Sequence, residues 1–160
     1  MAIYKAPLRD IRFVLNEVLA DCEPLPGDEE FTAETVDAVL EAAAQMAQEV
    51  LQPLNRPGDE EGSRLENGVV RTPKGWKEAY QAFCEGGWVG MPCAVEDGGQ
   101  GMPRLLHNMA KEILCSANLA FGMFPGLSNG AYAAIRAHAN DTLKRGYLPR
   151  LATGEWTGTM

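Results

Sequence analysis

Histidine and paired cysteine are scarce in this chain of 160 residues. It has two histidines, His107 and His138, and four cysteines, none of which stands in a Cys-x-x-Cys pair. Structural zinc sites usually draw their ligands from such pairs. We therefore expect no metal site, and we interpret the cysteines as reduced thiols that are mostly buried.

The chain also lacks an excess of positive charge. Its 14 Lys and Arg residues stand against 22 Asp and Glu residues, so the formal net charge is −8. Nucleic acids and anionic membrane surfaces bind basic faces, so the composition argues against both as general partners. An acidic protein can still carry a local basic site.

Long apolar runs are missing as well. No stretch approaches the roughly 20 apolar residues that a membrane-spanning helix needs. The first residues carry Lys5, Arg9 and Arg12 and show no apolar core of a secretory signal. We therefore expect a cytoplasmic protein without a membrane span.

Common catalytic motifs are absent too. None of the three serines, Ser63, Ser116 and Ser128, lies in a Gly-x-Ser-x-Gly elbow. The run Gly98-Gly99-Gln100-Gly101 follows no predicted strand, which favours a tight connector with positive φ over a phosphate loop. No residue of this chain is assigned as catalytic.

The remaining polar candidates have ordinary interpretations. The acidic run Asp59-Glu60-Glu61 indicates a solvated loop tip, because nothing fixes its carboxylates around a cation. His107 lies in a helical stretch, where a lone histidine is more often structural than catalytic. His138 follows a helix end, where a cation complements the helix dipole.

What the sequence does contain is helical periodicity. Apolar residues that recur at spacings of three and four predict about six helices. The predicted spans are 8–21, Thr32 to Pro53, Thr72-Pro73 to Gly86, 105–117, 119–137 and 141–147. Residues 55–71 are polar and predict a surface loop with a short extended piece at Val69-Val70. Residues 156–160 have strand character.

The fifth helix, 119–137, is apolar on most sides, which is typical of a central helix. Pro125 within it predicts a kink or a break. Small residues beside bulky ones can leave a groove that binds an apolar ligand. Plain core packing is the competing interpretation.

Several segments, taken in order, resemble the N-terminal helical domain of acyl-CoA dehydrogenases. A glycine pair after a helix leads to Pro92, and Glu96 precedes the run Gly98-Gly99-Gln100-Gly101. A small-residue helix and Lys-x-x-Tyr-Leu-Pro-x-Leu-Ala-x-Gly-Glu at 144–155 follow. The stretch 4–13 is similar to the start of the longer members of this family.

The resemblance implies an all-α N-terminal helical bundle, with the start of a β-strand at its C-terminal end. It implies an extension helix and linker at 1–30, the helical domain at 31–155 and a truncated β-domain at 156–160. The chain is then expected to be a fragment of such an enzyme, and this fragment is expected to be catalytically inert by itself.

The resemblance also implies chemistry for the parent enzyme. A glutamate base removes the α-proton of an acyl-CoA thioester while a hydride passes from the β-carbon to FAD. An electron-transfer flavoprotein then accepts the electrons. The base and most flavin contacts of the family lie beyond this domain, and such enzymes are homo-oligomers.

By their position in the family's helical domain, five residues are expected to form one wall of the acyl pocket. These are Met123, Phe124, Leu127, Ser128 and Ala131. Met160 is the one residue expected beside the flavin. Two alternatives stay open: a stand-alone helical module that binds an apolar ligand or protein partner, and a self-associating structural bundle.

Overall fold

A computed structural model describes residues 3–21 and 31–159 of the chain. Within them, α-helices form six continuous stretches, as the sequence predicts, together with a short 3-10 helix (Val95–Asp97) and one hairpin. The elements are α1 (Leu8–Phe13), α2 (Ala33–Gln45), α3 (Gln52–Glu61), β1 (Arg64–Glu66), β2 (Val69–Arg71), α4 (Trp76–Glu85), α5 (Arg104–Ala117), α6 (Leu119–His138) and α7 (Asp141–Ala152). The all-α class expected from the sequence is confirmed.

Two helical stretches contain π-helical segments, in which the hydrogen bonds span five residues. Val14–Val18 continues α1, and Met46–Leu51 joins α2 to α3. In the second segment the N–H of Gln52 donates to the carbonyl of Ala47. This wider turn changes the pairing immediately before Pro53, which has no N–H to donate.

The prediction that Pro53 ends the second helix is therefore wrong. Pro53 lies in the first turn of α3, where a missing N–H costs little, and the helix continues to Glu61. The acidic run 59–61 lies in the last helical turn instead of a loop tip. There Glu60 pairs with Arg56 at 2.7 Å, and Glu61 accepts a hydrogen bond from the N–H of Lys74.

The predicted loop at 55–71 also contains a hairpin. Strands β1 and β2 pair antiparallel, with Leu65 opposite Val70. Asn67 and Gly68 connect them with φ of 52° and 77°. Two such residues form the turn that best matches the twist of paired strands. Asn-Gly was thus the available sequence signal, and the loop interpretation overlooked it.

The start of one helix and the end of another differ from the prediction. Helix α4 begins at Trp76 after Gly75, whose φ is 85°, so Thr72-Pro73 does not cap it. Helix α7 continues through Pro149 to Ala152. Helix α6 contains Pro125 without a break. The described residues 157–159 form no strand, because they do not join the β1–β2 hairpin and the N–H of Gly158 donates to the hydroxyl of Ser128 instead.

The main core lies where α2, α4, α5 and α6 meet. Phe83 of α4 and Phe121 of α6 stack edge to face at 5.5 Å. A smaller cluster joins α6 to α7 through Tyr132, Leu148 and Leu151. Helix α6 packs against two neighbours. It approaches α5 closely at Gly122, and it packs along α7. These contacts hold α6 between two neighbours.

Replacing Gly146 with alanine is expected to stabilise the fold. Gly146 lies in the middle of α7, and a Cβ built there has no atom within 4 Å. Alanine in an exposed helix interior is favoured over glycine by about 0.5–1 kcal/mol. Urea denaturation should show a gain of that size. A loss would mean that α7 needs the backbone freedom of glycine at this position.

Candidate functional site

The candidate site is one side of α6. Asn118 caps the helix by accepting a hydrogen bond from the N–H of Phe121, and its amide also donates to the carbonyl of Leu51. Gly122 faces α5, and a Cβ there would lie 2.5 Å from the Cys115 sulfur. This close approach buries one side of α6 and leaves the other side open.

The structure brings together the five residues assigned to the acyl pocket. Phe124, Leu127, Ser128 and Ala131 recur at i, i+3, i+4 and i+7, so they share one side of the helix, with Met123 at its edge. We call these five residues the α6 outer face. Met123, Phe124 and Leu127 are 65%, 43% and 40% exposed. The face is therefore a largely uncovered apolar stripe.

Ser128 is the polar member of the α6 outer face, and it is already satisfied. Its side chain is 1% exposed, and its hydroxyl accepts a hydrogen bond of 3.1 Å from the N–H of Gly158. A Cβ on Gly158 would lie 2.8 Å from the Cβ of Ala131. The chain therefore runs directly over this part of the helix, and Gly158 permits the approach.

Tyr80 of α4 closes one end of the α6 outer face. Its ring meets Phe124 edge-on at 5.2 Å, and its hydroxyl donates to the carbonyl of Gly154 at 3.1 Å. Burial raises the pKa of the Tyr80 hydroxyl and of the neighbouring Cys84 thiol. Both groups stay protonated near neutral pH, so neither supplies a base here.

An open cavity of about 510 Å³ adjoins the other end of the face. Ala131, Gly158 and Trp156 line it together with Tyr147 of α7. The guanidinium of Arg150 lies 4.4 Å from the centre of the Trp156 ring, which holds the indole in place. The apolar stripe thus continues from α6 onto α7.

The other polar candidates lie away from this face. His107 is on α5, and burial lowers its pKa, as do Lys111 and Arg104. His138 ends α6, where a helix-end cation was expected. Gly98 and Gly101 have φ of 85° and 62°, which confirms the tight connector. The N–H groups of 99–101 bond to backbone carbonyls, so they are not free to hold a phosphate.

Within 3–21 and 31–159, no three His, Cys, Asp or Glu side chains gather as a metal site would require. No helix in that part of the chain is long and apolar enough to cross a membrane. Met160, expected beside the flavin, lies outside the described residues, as does Cys22.

Comparison with known proteins decides the family. Residues 33–155 match the family described as "Acyl-CoA dehydrogenase, N-terminal domain", and they make up well over half of the chain. The chain belongs to the acyl-CoA dehydrogenase family. The resemblance seen in the sequence is thereby confirmed.

Relatives within the acyl-CoA dehydrogenase family match nearly the whole chain. It is 40% identical over 159 residues to 3-methylmercaptopropionyl-CoA dehydrogenase of Ruegeria pomeroyi, covering 98% of this chain. Two proteins of Syntrophomonas wolfei named butyryl-CoA dehydrogenase are 31% and 26% identical over 163 residues, again covering 98%. The chain spans 27% of the length of each of these relatives.

The sequence predicted the helix that carries the site but not the residues of other segments that border it. Tyr80 and Trp156 border the α6 outer face, and neither was proposed. Tyr80 occurs in the predicted inner face of its helix, so its periodicity indicated burial alone. The contact between Gly158 and Ser128 joins residues 30 positions apart, and no local pattern signals it. The role of the face in acyl binding stays a prediction.

Proposed function

We propose that this chain acts as the N-terminal helical domain of an FAD-dependent acyl-CoA dehydrogenase. Within that enzyme the α6 outer face forms one wall of the acyl pocket. The enzyme would remove two hydrogens from the α and β carbons of an acyl-CoA thioester. The observation that supports this role is the uncovered apolar stripe of α6 in a chain of this family.

The chemistry of the stripe suits an alkyl chain. Covering apolar surface is favourable by roughly 25 cal/mol per Å², and three large apolar side chains of the face are still in contact with solvent. Its polar side chain, Ser128, already has its hydrogen bond. An apolar ligand would therefore bury the stripe without leaving a polar group unpaired.

FAD is the cofactor that this family implies, and it would accept the hydride. The described residues offer no set of donors that we assign to it. Tyr80 and Ser128 already bond within the domain, and Met160, proposed to lie beside the flavin, is outside the described residues. The part of this chain in the proposed enzyme is to shape the pocket wall, and no catalytic residue is assigned within it.

The domain boundaries and partners belong to the same proposal. We propose an extension at 1–30, the helical domain at 31–155 and the start of a β-domain at 156–160. Acyl-CoA, an electron-transfer flavoprotein and further copies of the enzyme would be its partners, in the cytoplasm. Family membership is the support for these statements.

The chain by itself is expected to be inert. The purified 160-residue protein, mixed with FAD and butyryl-CoA under anaerobic conditions, should leave the flavin absorbance unchanged. The reason is that the catalytic glutamate of the family is proposed to lie in a part that this chain does not contain. Reduction of the flavin at a rate proportional to protein concentration would overturn this assignment.

A second candidate function is that the chain acts as a stand-alone module, which binds an apolar ligand or a protein partner. The open cavity beside Trp156 and the exposed stripe are the observations that favour it. Quenching of tryptophan fluorescence by a fatty acid or an acyl-CoA discriminates between the two. Micromolar affinity of the isolated chain supports the module, whereas binding only in the larger enzyme supports the dehydrogenase.

A further inference from the structure

A cleft on the opposite side of α6 has a different character. It lies between α5 and α6, is open to solvent, and encloses about 540 Å³. We call it the α5–α6 cleft. Its polar lining consists of Arg104, His107 and Asn108 on α5 and of Asn129, Tyr132 and Arg136 on α6. No carboxylate is among the described residues that line it, although Arg136 of this lining pairs with Glu96 and Asp97.

The cations of α5 have no acidic partner. Arg104 and Lys111 form no ion pair within the described residues, although the chain has 22 carboxylate side chains. The residues three and four positions from each are uncharged or His107. Arg104 and Lys111 are seven residues apart, so they lie two turns apart on the same side of α5. Arg104 and Lys111 thus form a cationic row on α5, in which neither has an ion pair within the described residues and Glu112 is the one carboxylate of the helix.

Lys111 extends this row toward α6. A Cβ built on Gly126 of α6 would lie 3.5 Å from its ammonium nitrogen. A separate narrow cavity of about 30 Å³ shares His107 and Asn129 with the cleft, and Lys111 is among its lining residues. Lys111 therefore lies beside the cleft, and Arg104 lies in its lining.

The α6 side of the cleft is held rigid. Arg136 pairs with Asp97 at 2.6 Å and with Glu96 at 2.5 Å. The hydroxyl of Tyr132 donates to Asp97 at 2.6 Å and accepts from the N–H of Ala94 at 2.9 Å. These bonds keep Tyr132 and Arg136 in fixed positions opposite α5. Because Glu96 and Asp97 already accept these donors, the α6 wall is rigid, and the cations that lack an ion pair in this part of the described chain lie on α5.

We propose that the α5–α6 cleft binds a compact phosphate-bearing ligand. Arginine, lysine and amide donors match the oxygens of a phosphate. A net charge of −8 repels an extended polyanion or an acidic protein, whereas a small anion inside the cleft feels mainly charges within about 10 Å. The volume lies in the range of small-molecule sites.

This site is separate from the α6 outer face. Asn129 and Arg136 follow Leu127 by two and nine residues, which at 3.6 residues per turn puts them on the opposite side of the helix. The two sites can therefore be tested apart. Failure of the proposed dehydrogenase role would leave this proposal standing, and the reverse also holds.

The two histidines provide the test, because one lies in the cleft and the other is an internal control. Pyrophosphate is titrated into the labelled 160-residue chain while the imidazole NMR signals are followed at several pH values. Burial lowers the pKa of His107, and the charges of Lys111 and Arg104 help to lower it, so a bound anion should raise that pKa by about one unit. The His138 signal should not move when pyrophosphate is added, and neither signal should move in NaCl of matched ionic strength.

Paired variants locate the binding. The double variant Arg104→Gln/Lys111→Gln should weaken pyrophosphate binding by about tenfold or more. The control Lys77→Gln/Arg145→Gln changes the same residue types on exposed positions elsewhere and should keep the affinity. Equal losses in both variants, equal shifts of both histidines, or no shift at millimolar pyrophosphate would overturn the proposal. Binding of hexaglutamate without binding of pyrophosphate would also overturn it.

Discussion

Replacing Leu127 with tryptophan should lower kcat/KM about tenfold or more for a long acyl-CoA in the enzyme that contains this domain. Leu127 is 40% exposed on the α6 outer face, so an indole there would project into the proposed pocket. Overfilling a packed apolar site costs about 1–3 kcal/mol, and each 1.36 kcal/mol corresponds to a factor of ten in rate. The loss should grow with acyl length, from butyryl to octanoyl.

The control for this substitution is Leu143→Trp. Leu143 lies on α7 with 45% exposure and outside the α6 outer face, so the same side-chain change is made on a similar surface. Its kcat/KM should match that of the unaltered enzyme at every acyl length. The pocket-wall assignment fails if both variants behave alike, or if the Leu127 variant loses the same factor for all acyl lengths.

Replacing Asn118 with alanine should destabilise the domain by about 3 kcal/mol. Asn118 is fully buried, caps α6 through the N–H of Phe121, and donates to the carbonyl of Leu51 at 3.1 Å. A lost cap costs about 1 kcal/mol, and a buried carbonyl left without its partner adds about 1–3 kcal/mol. Urea denaturation followed by circular dichroism measures the change.

Asn140→Ala is the matched comparison. Asn140 caps α7 by accepting from the N–H of Leu143 at 3.0 Å, but it is exposed and has no second bond in the described residues. Its loss should therefore cost only about 1 kcal/mol. Equal destabilisation by the two substitutions would show that the bond from Asn118 to Leu51 contributes nothing.

The helices could be predicted because their signals are local. Apolar spacing gave the span of α5 and α6, whereas Phe124, Leu127, Ser128 and Ala131 were assigned by their position in the family. The same spacing did not tell which side is covered. A helix that is apolar all round suggests burial on every side, whereas α6 packs on α5 and α7 and leaves its outer face open.

The failures have physical causes. A proline usually ends a helix because it has no N–H, but the π-helical turn at Met46–Leu51 changes the pairing before Pro53. The strand expected at 156–160 needs a partner strand, and its described part lies against Ser128 instead. Such contacts join distant residues, so spacing rules do not contain them. The Asn67-Gly68 turn, in contrast, was readable from the sequence.

The central claim is that this chain is the wall-forming domain of a larger acyl-CoA dehydrogenase. Its most direct test is to read the source gene immediately downstream of codon 160. The account predicts an open frame that enters a strand carrying Thr-Glu-Pro and continues for several hundred residues. A stop codon directly after Met160 would contradict it, because no catalytic domain would then share the polypeptide with α6.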